Sequence, residues 1–318
     1  MKRLNYLDIA KGIGILLVLI GHVYRTSDSS VIRYFYSFHV GMFYIISGIL
    51  FDMTKPYEKQ FSRVLWNKVC GLIIPYAFFE LLYDVVFCLC GNPSDFFWVL
   101  RQGVTLQHDY ATWFLPILFF SEIILISFKK YIKKDFVISM IVAVLFFVSL
   151  LSGISYQQDS SLWPLFPVLR TFIAIGFMWF GKLISRYHRE IIEKKTSLLL
   201  FGVLSIMSSF FNARVSWLWT FYGSPVLFII STLAGCLFVL CVSYNIKHSQ
   251  ILEYLGKNTV VILGTHQSIL MLLRYVFGQE PRAFTDVIYM ITTILIQFPL
   301  IYLFDKFIPF FIGKHRKL

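Results

Sequence analysis

The sequence has too few charged residues for a soluble domain of its length. Only 14% of its 318 residues are charged, whereas soluble domains average about a quarter. Hydrophobic residues make up 58% of the chain and include 34 Phe, 18 Tyr and 7 Trp. A single soluble core cannot bury this much apolar surface, but a lipid bilayer solvates it. The composition therefore excludes a soluble fold and indicates a multi-pass membrane protein.

The sequence also lacks the motifs of several common kinds of site. Its five cysteines lie inside apolar runs without zinc or redox spacing, so we interpret them as small core residues. It has no Gly-rich phosphate loop, no metal-ligand cluster and no Gly-x-Ser-x-Gly elbow, and we expect no metal. The net charge is +12, but the basic residues lie in short clusters between apolar runs. This distribution indicates that the basic residues set the orientation of the protein in the membrane, and it argues against nucleic-acid binding.

Ten apolar segments are long enough to cross the roughly 30 Å hydrocarbon core of a membrane. They lie at residues 7–25, 32–52, 66–90, 112–128, 135–153, 167–186, 196–213, 221–243, 258–278 and 284–311. Asp8 and Lys11 interrupt the first segment, which we interpret as a retained helix rather than a signal peptide. The segments show no internal repeat and no long linker. We therefore predict one multi-pass domain over residues 1–318, an all-α bundle of about ten transmembrane helices.

The basic residues are unequally distributed between the two sides of this predicted bundle. With a cytoplasmic N-terminus, seven of the 29 lie outside and the other 22 lie in cytoplasmic stretches. This bias predicts that both termini are cytoplasmic. The seven outer residues are all arginines: Arg25, Arg33, Arg101, Arg170, Arg214, Arg274 and Arg282. They either anchor lipid headgroups or recognise an anionic or glycan ligand, since the guanidinium fork suits carboxylates, phosphates and hydroxyls.

Three ionisable residues, Asp8, Lys11 and His22, lie inside the first segment, ahead of Tyr24 and Arg25 at its outer end. Such residues are costly inside a membrane and are therefore functional candidates. Lys11 and His22 lie within about 20° of each other around a helix and about 16.5 Å apart along it, and Asp8 lies about 40° from the same line. The three side chains therefore form one polar stripe. Alternatively, Asp8 and Lys11 only pair at the membrane edge, which leaves His22 unexplained.

A second histidine, His39, follows in the next segment after a short outer turn. Two adjacent antiparallel helices would hold His22 and His39 in the outer half of the bilayer at similar depth. Either histidine alone is also compatible with an ordinary hydrogen bond within the bundle. As a pair they suit proton transfer, because neutral imidazole titrates near physiological pH.

Four stretches of the sequence occur in the order of a known set of motifs. They are LDIAKG at residues 7–12 with His22, SFHVGMFYIISGILF at 37–51, WFLPILF at 113–119, and LGKNT at 255–259 with His266. This set resembles the acyltransferase-3 family of membrane O-acyltransferases, especially its short fucose-4-O-acetylase-like members without an appended extracellular domain. The family's basic run before the third helix is incomplete here. Lys68 matches one position, Gly71 replaces a second basic residue, and Arg63 lies one turn earlier.

The resemblance implies an activity and the residues that carry it. The donor would be cytoplasmic acetyl-CoA or another short acyl-CoA, and the acceptor a carbohydrate or lipid-linked glycan, at a bacterial plasma or inner membrane. Lys11, Arg63 and Lys68 would bind the donor. His22 would act as general base on the acceptor hydroxyl or form a covalent acyl intermediate, and His39 would orient the acceptor or share the proton.

Four further residues are weaker candidates. Glu80, which we group with His22 and His39 as a catalytic candidate, lies near mid-membrane and would line the acceptor cavity or orient a histidine, or be structural. Trp113 would stack on a sugar ring or belong to the interfacial aromatic belt. Asp8 would position Lys11, and we group it with Trp113 and His266 as possible substrate-binding residues.

Two functions other than an enzyme remain open at this stage. Intramembrane charges also suit a transporter or flippase of a lipid-linked glycan or small solute, although the two halves show no corresponding broken helices. A membrane sensor or scaffold is disfavoured because no soluble signalling domain is evident.

Overall fold

The computed structural model of the protein describes residues 4–25, 27, 29–91, 96–106, 110–155, 164–278 and 283–314. Within these ranges the chain is helical, apart from turns and one isolated antiparallel bridge between Ser216 and Phe221. The helices are α1 (Asn5–Val23), α2 (Ser30–Thr54), α3 (Phe61–Lys68), α4 (Ile74–Cys90), α5 (Phe96–Val104), α6 (Phe114–Tyr131), α7 (Asp135–Ser155), α8 (Phe166–Ile184), α9 (His188–Ile192), α10 (Lys195–Phe210), α11 (Pro225–Ile246), α12 (Gln250–Lys257), α13 (Thr259–Phe277) and α14 (Ala283–Phe307).

Nine helices in the described part of the chain are long and apolar enough to cross a membrane. They are Asn5–Val23, Ser30–Thr54, Phe61–Cys90, Ala111–Tyr131, Asp135–Ser152, Phe166–Ile184, Pro225–Ile246, Thr259–Phe277 and Phe284–Phe307. Their outward faces carry exposed Leu, Ile, Val and Phe side chains, as lipid-facing surfaces do. The prediction of an all-α integral membrane bundle is confirmed.

The remaining predicted segment, 196–213, corresponds to α10, which has only 16 residues. Contacts just beyond its two ends show that it nevertheless runs the length of the bundle. Beyond its C-terminal end, Arg214 donates hydrogen bonds to the carbonyls of Arg25 (2.6 Å) and Ser27 (3.2 Å), which follow α1. Before its N-terminal end, Glu193 accepts a hydrogen bond from Tyr244 near the opposite end of α11. The chain therefore passes from one face of the bundle to the other along α10.

The first and last described residues lie at the same face of the bundle. Lys314 donates to Asn258 Oδ1 (2.6 Å), between α12 and α13, and α12 packs against the first turns of α1. Two cytoplasmic termini have to lie at the same face of the bundle, as the first and last described residues do. Of the seven predicted outer arginines, Arg282 lies outside the described residues.

The third predicted segment is not the continuous helix that its hydropathy indicates. A π-helical turn, Val69–Ile73, separates α3 from α4. Pro75, at the start of α4, has no N–H to donate, and its ring would clash with the carbonyl four residues earlier in a regular α-helix. The wider turn removes this clash, and such turns are frequent at functional sites.

Two glycines allow α1 and α12 to pack backbone against backbone. A Cβ atom on Gly256 would overlap the carbonyl of Asp8, and one on Gly12 would overlap the carbonyl of Leu252. Both glycines belong to the sequence motifs described above. Small residues at such contacts are typical of helix packing in membranes, because they let two backbones approach closely.

We expect Gly256→Ala to lower the free energy of unfolding by about 1–3 kcal/mol, because the added methyl group overpacks this contact. The higher helix propensity of Ala offsets at most about 1 kcal/mol. Thermal unfolding of the purified protein measures the effect. Gly71→Ala is the matched control, since a Cβ there meets nothing within 4 Å. Equal melting temperatures for the two variants would refute the role of the contact.

Candidate active site

Two chambers inside the bundle adjoin each other at the two predicted histidines. The inner chamber has a volume of about 210 Å³ and is lined by α1, α2, α6, α13 and the π-helical turn. The outer chamber has a volume of about 430 Å³ and is lined by α1, α2 and the loop between α10 and α11. Four residues line both: His22, His39, Val40 and Trp113. The chambers thus form a two-sided cleft with imidazoles at its centre.

The polar stripe predicted on the first helix lines the inner chamber. Lys11, Ile15, Val18 and His22 face it at successive turns of α1. Asp8 does not line it. Its carboxylate is buried and lies 2.7 Å from the ammonium of Lys11, whose side chain is 21% exposed. The structure therefore confirms the shared face of Lys11 and His22 and makes Asp8 the partner of Lys11.

Hydrogen bonds from Gln267 determine which nitrogen of His22 carries a proton. The Gln267 side-chain oxygen accepts the backbone N–H of Ala111 at 2.5 Å, which orients its amide. Its NH₂ group therefore donates to Nδ1 of His22, 3.1 Å away. Neutral imidazole has one donor and one acceptor nitrogen. With Nδ1 accepting, the proton of neutral His22 lies on Nε2.

His39 has the opposite arrangement. Its Nδ1 lies 2.6 Å from the carbonyl of Phe35, one turn earlier in α2, and a carbonyl only accepts. The proton of neutral His39 therefore lies on Nδ1, and Nε2 keeps its lone pair. The side chain is 95% buried and lines both chambers.

A short turn before α6 closes the cleft on the side facing the two histidines. In this turn, Tyr110–Trp113, Ala111 is held by Gln267 and the Thr112 hydroxyl donates to Oε2 of Glu80 at 2.8 Å. Trp113 is buried, lines both chambers and has the guanidinium carbon of Arg170 5.2 Å from its ring centroid. An aromatic-belt residue would face lipid, so that interpretation of Trp113 is wrong.

Glu80 and His266 lie behind the cleft and line neither chamber. Glu80 is connected to the site through Thr112. His266 is fully buried, its Nδ1–H donates to the carbonyl of Ile262 (2.8 Å), and its ring centroid lies 5.0 Å from that of His22. These two residues can support the cleft but cannot touch a substrate in this arrangement.

The three predicted donor-binding cations are not equivalent. Lys11 lines the inner chamber, whereas Lys68 forms an ion pair with Glu122 (2.6 Å) and Arg63 lies on the exposed face of α3. Leu72, from the π-helical turn that follows Lys68, does line the chamber. The turn thus brings the basic helix α3 to the mouth of the inner chamber.

Sequence reasoning missed Gln267 and the wall of the outer chamber. Gln267 is an uncharged polar residue within an apolar span, next to His266. Burying a polar side chain in a membrane is unfavourable, and this could have marked Gln267 as a functional candidate. The outer wall comes from the loop between α10 and α11, which contributes Arg214, Ser216, Trp217 and Trp219. No periodic pattern marks that loop, because its fold depends on contacts with Arg25 and Ser27.

No metal centre is evident among the described residues, where no group of three or more His, Cys, Asp or Glu side chains could hold an ion. Comparison with protein families matched residues 4–311 to a family described as an acyltransferase domain. The chain belongs to the acyltransferase-3 family. Neither the curated proteins nor the solved structures gave a match. The transferred group and its acceptor therefore have to be inferred from the cleft of this membrane acyltransferase.

The two chambers predict that single cysteines at their walls react from opposite sides of the membrane. A membrane-impermeant maleimide should label Thr259→Cys, in the inner chamber, only in inverted vesicles. It should label Ser216→Cys, in the outer chamber, only in right-side-out vesicles. Ser205→Cys, which is buried, and the unmodified protein provide the background. Labelling of both positions from one side would contradict a two-sided cleft.

Proposed function

We propose that this acyltransferase moves a short acyl group, such as acetyl, from cytoplasmic acyl-CoA to a hydroxyl of a cell-envelope carbohydrate. The observation that carries the proposal is the meeting of two chambers at His22 and His39. A donor entering one chamber and an acceptor entering the other would react at the imidazoles between them. The proposal includes a bacterial plasma or inner membrane as the location of the protein.

The inner chamber suits the donor. Coenzyme A is a polyanion attached to a long, uncharged arm that ends in the thioester. Lys11 near the cytoplasmic end, with Arg63 and Lys68 on α3, offers cations to the nucleotide. From Lys11 to His22 the walls are mainly apolar, and the path along α1 is about 16.5 Å. The thioester of an arm in this chamber would lie beside the histidines.

The outer chamber suits a carbohydrate. Tyr36, Trp217 and Trp219 supply aromatic surfaces on which sugar rings stack. Ser216 and Arg214 add polar groups that can bind hydroxyls, and Trp113 forms the wall nearest to the histidines. Apolar rings combined with a few placed polar groups are typical of small-molecule sites.

The hydrogen bonds of the two histidines support a division of roles in the reaction. A general base needs a lone pair directed at the substrate, and the free nitrogen of His39, Nε2, has one. His22, whose Nδ1 accepts from Gln267, presents Nε2–H instead and is suited to stabilise negative charge. We therefore assign the base to His39, which reverses the roles predicted from the sequence.

In the proposed reaction the acceptor hydroxyl gives its proton to His39 Nε2 as its oxygen attacks the thioester carbonyl carbon. His22 Nε2–H donates to the carbonyl oxygen, which becomes negative in the tetrahedral intermediate. The carbon–sulfur bond then breaks, and the departing thiolate takes the proton from His39. The products are an ester and free coenzyme A, and neither histidine changes its charge over the full cycle. Gln267 is a positioning residue, as are Glu80, His266 and Asp8.

An acyl-transfer assay tests this function. The purified protein is incubated with radiolabelled acetyl-CoA or succinyl-CoA and a crude envelope-glycan extract. We expect the wild type to consume thioester and label glycan, and His39→Ala to lose about 10²–10⁴-fold in kcat, as removal of a general base does. Lys11→Ala should mainly raise KM for acyl-CoA, because it removes a cation from the donor chamber.

His248→Ala is the matched control for the histidine variants. His248 is exposed at the inner face, paired with Glu253, and should be replaceable without loss of activity. Label retained on the protein would indicate a covalent acyl-histidine step rather than direct transfer. A wild type that neither binds nor consumes either donor would refute the donor assignment, and glycan-lipid flux in liposomes would then test the transporter alternative.

The isosteric variant Gln267→Glu tests the division of roles. The introduced carboxylate can accept from both Ala111 N–H and His22 Nδ1–H, so it moves the His22 proton to Nδ1. If His22 donates to the oxyanion, kcat should fall about 10²–10³-fold with little change in KM for acyl-CoA. If His22 is instead the base, the new tautomer presents a lone pair to the cleft, and kcat would be maintained or increased.

A further inference from the structure

Arg170 is an unusual residue for the interior of a membrane bundle. It lies in α8, within a membrane-spanning helix, and only 1% of its surface is exposed. Removing a guanidinium from water is strongly unfavourable unless an opposite charge or a full set of acceptors replaces the water. The Trp113 ring, 5.2 Å away, provides a cation–π contact that offsets only part of this cost.

The polar groups around Arg170 do not complete its hydrogen bonding. Its Nε and Nη1 atoms are buried and have no hydrogen-bond partner. The ionisable groups that act on it electrostatically are the phenols of Tyr44, Tyr76 and Tyr222, and no carboxylate of the described residues is among them. The guanidinium charge is thus not balanced by any of these neighbours.

Two further donors near Arg170 are in the same condition. The hydroxyl of Tyr44 and the indole Nε1–H of Trp217 are buried and also have no partner. Their ring centroids are 5.8 Å apart, and Tyr44 interacts electrostatically with Arg170. Buried polar groups in native proteins are satisfied in the great majority of cases, so three neighbouring side chains with unused donors require a common explanation.

We propose that Arg170, Tyr44 and Trp217 form an internal binding site for a small inorganic anion of the size of chloride. An anion accepts from every one of these donors and also balances the guanidinium charge, whereas a water molecule supplies acceptors without charge. The rings of Phe114, 4.9 Å from Tyr44, and Phe177, 5.6 Å from Trp217, enclose the group. This enclosure favours a monatomic ion over a phosphate ester or a glycan carboxylate.

The site lies behind the walls of both chambers. Trp113 separates Arg170 from the histidines, and Trp217 lines the outer chamber. A bound anion would fix the guanidinium under Trp113 and the indole of Trp217, and so stabilise the shape of the cleft. The proposal does not depend on which donor or acceptor the enzyme uses.

Thermal unfolding at constant ionic strength tests the site. Purified protein is measured in sodium gluconate in which gluconate, too large for the site, is replaced stepwise by chloride or bromide. We expect the melting temperature to stay constant at halide concentrations below the dissociation constant and to rise by roughly 3 °C for each tenfold increase above it. Arg170→Met, which keeps an apolar stem but removes the charge, should abolish this dependence.

Arg101→Met, at an exposed position on α5, is the matched control and should keep the full halide dependence. If Arg170→Met does not fold, Tyr44→Phe decides the question, because it removes one donor and should raise the halide concentration at which the melting temperature begins to increase. A wild-type melting temperature that is equal in gluconate and halide would overturn the proposal and leave a water cluster at Arg170. A halide effect that persists unchanged in Arg170→Met or Tyr44→Phe would also overturn it.

Discussion

The lack of water inside a membrane bundle is the constraint on which the rest of this structure depends. A polar group there has to find its partner within the protein, because lipid offers none. In this acyltransferase, Asp8 pairs with Lys11 and Glu122 with Lys68, while His39 and His266 each bond a carbonyl one turn earlier. These internal partners do more than stabilise the fold. They determine the direction in which each functional side chain points and which nitrogen of each imidazole carries a proton.

The turn Tyr110–Trp113 shows how several such interactions converge. Each of its residues is held by a different side chain: Tyr110 by the ring of Tyr83, Ala111 by Gln267, Thr112 by Glu80 and Trp113 by Arg170. These four side chains come from α4, α8 and α13. The turn therefore couples three helices to the wall of the cleft. Glu80, which lines neither chamber, can influence the site through this connection.

Hydropathy and helical periodicity predicted much of the architecture. The segment predicted at 135–153 is the helix Asp135–Ser155, and the one at 167–186 is Phe166–Ile184. The shared face of Lys11 and His22 follows from the 3.6-residue repeat, which depends only on local geometry. The resemblance of four short motifs also sufficed to identify the family, which the match over residues 4–311 confirmed.

Features that depend on contacts between distant segments could not be predicted in this way. Periodicity places Glu80 and His266 on a helix face but does not say which neighbour that face meets. Gln267 acquires its role only because Ala111 and His22, far away in sequence, lie on either side of its amide. The π-helical turn reflects a local conflict at Pro75 that average hydropathy does not register.

The short helix α10 has a consequence for the surrounding membrane. Its 16 residues span about 24 Å, less than the roughly 30 Å of a typical hydrocarbon core. A bilayer next to such a helix thins locally, or the flanking residues sink below the headgroups. The loop that follows α10 forms the wall of the outer chamber, so local thinning of the outer leaflet beside α10 would bring lipid headgroups down to this wall. A molecule whose lipid tail holds it in the outer leaflet would therefore meet the chamber at the depth of its own headgroup.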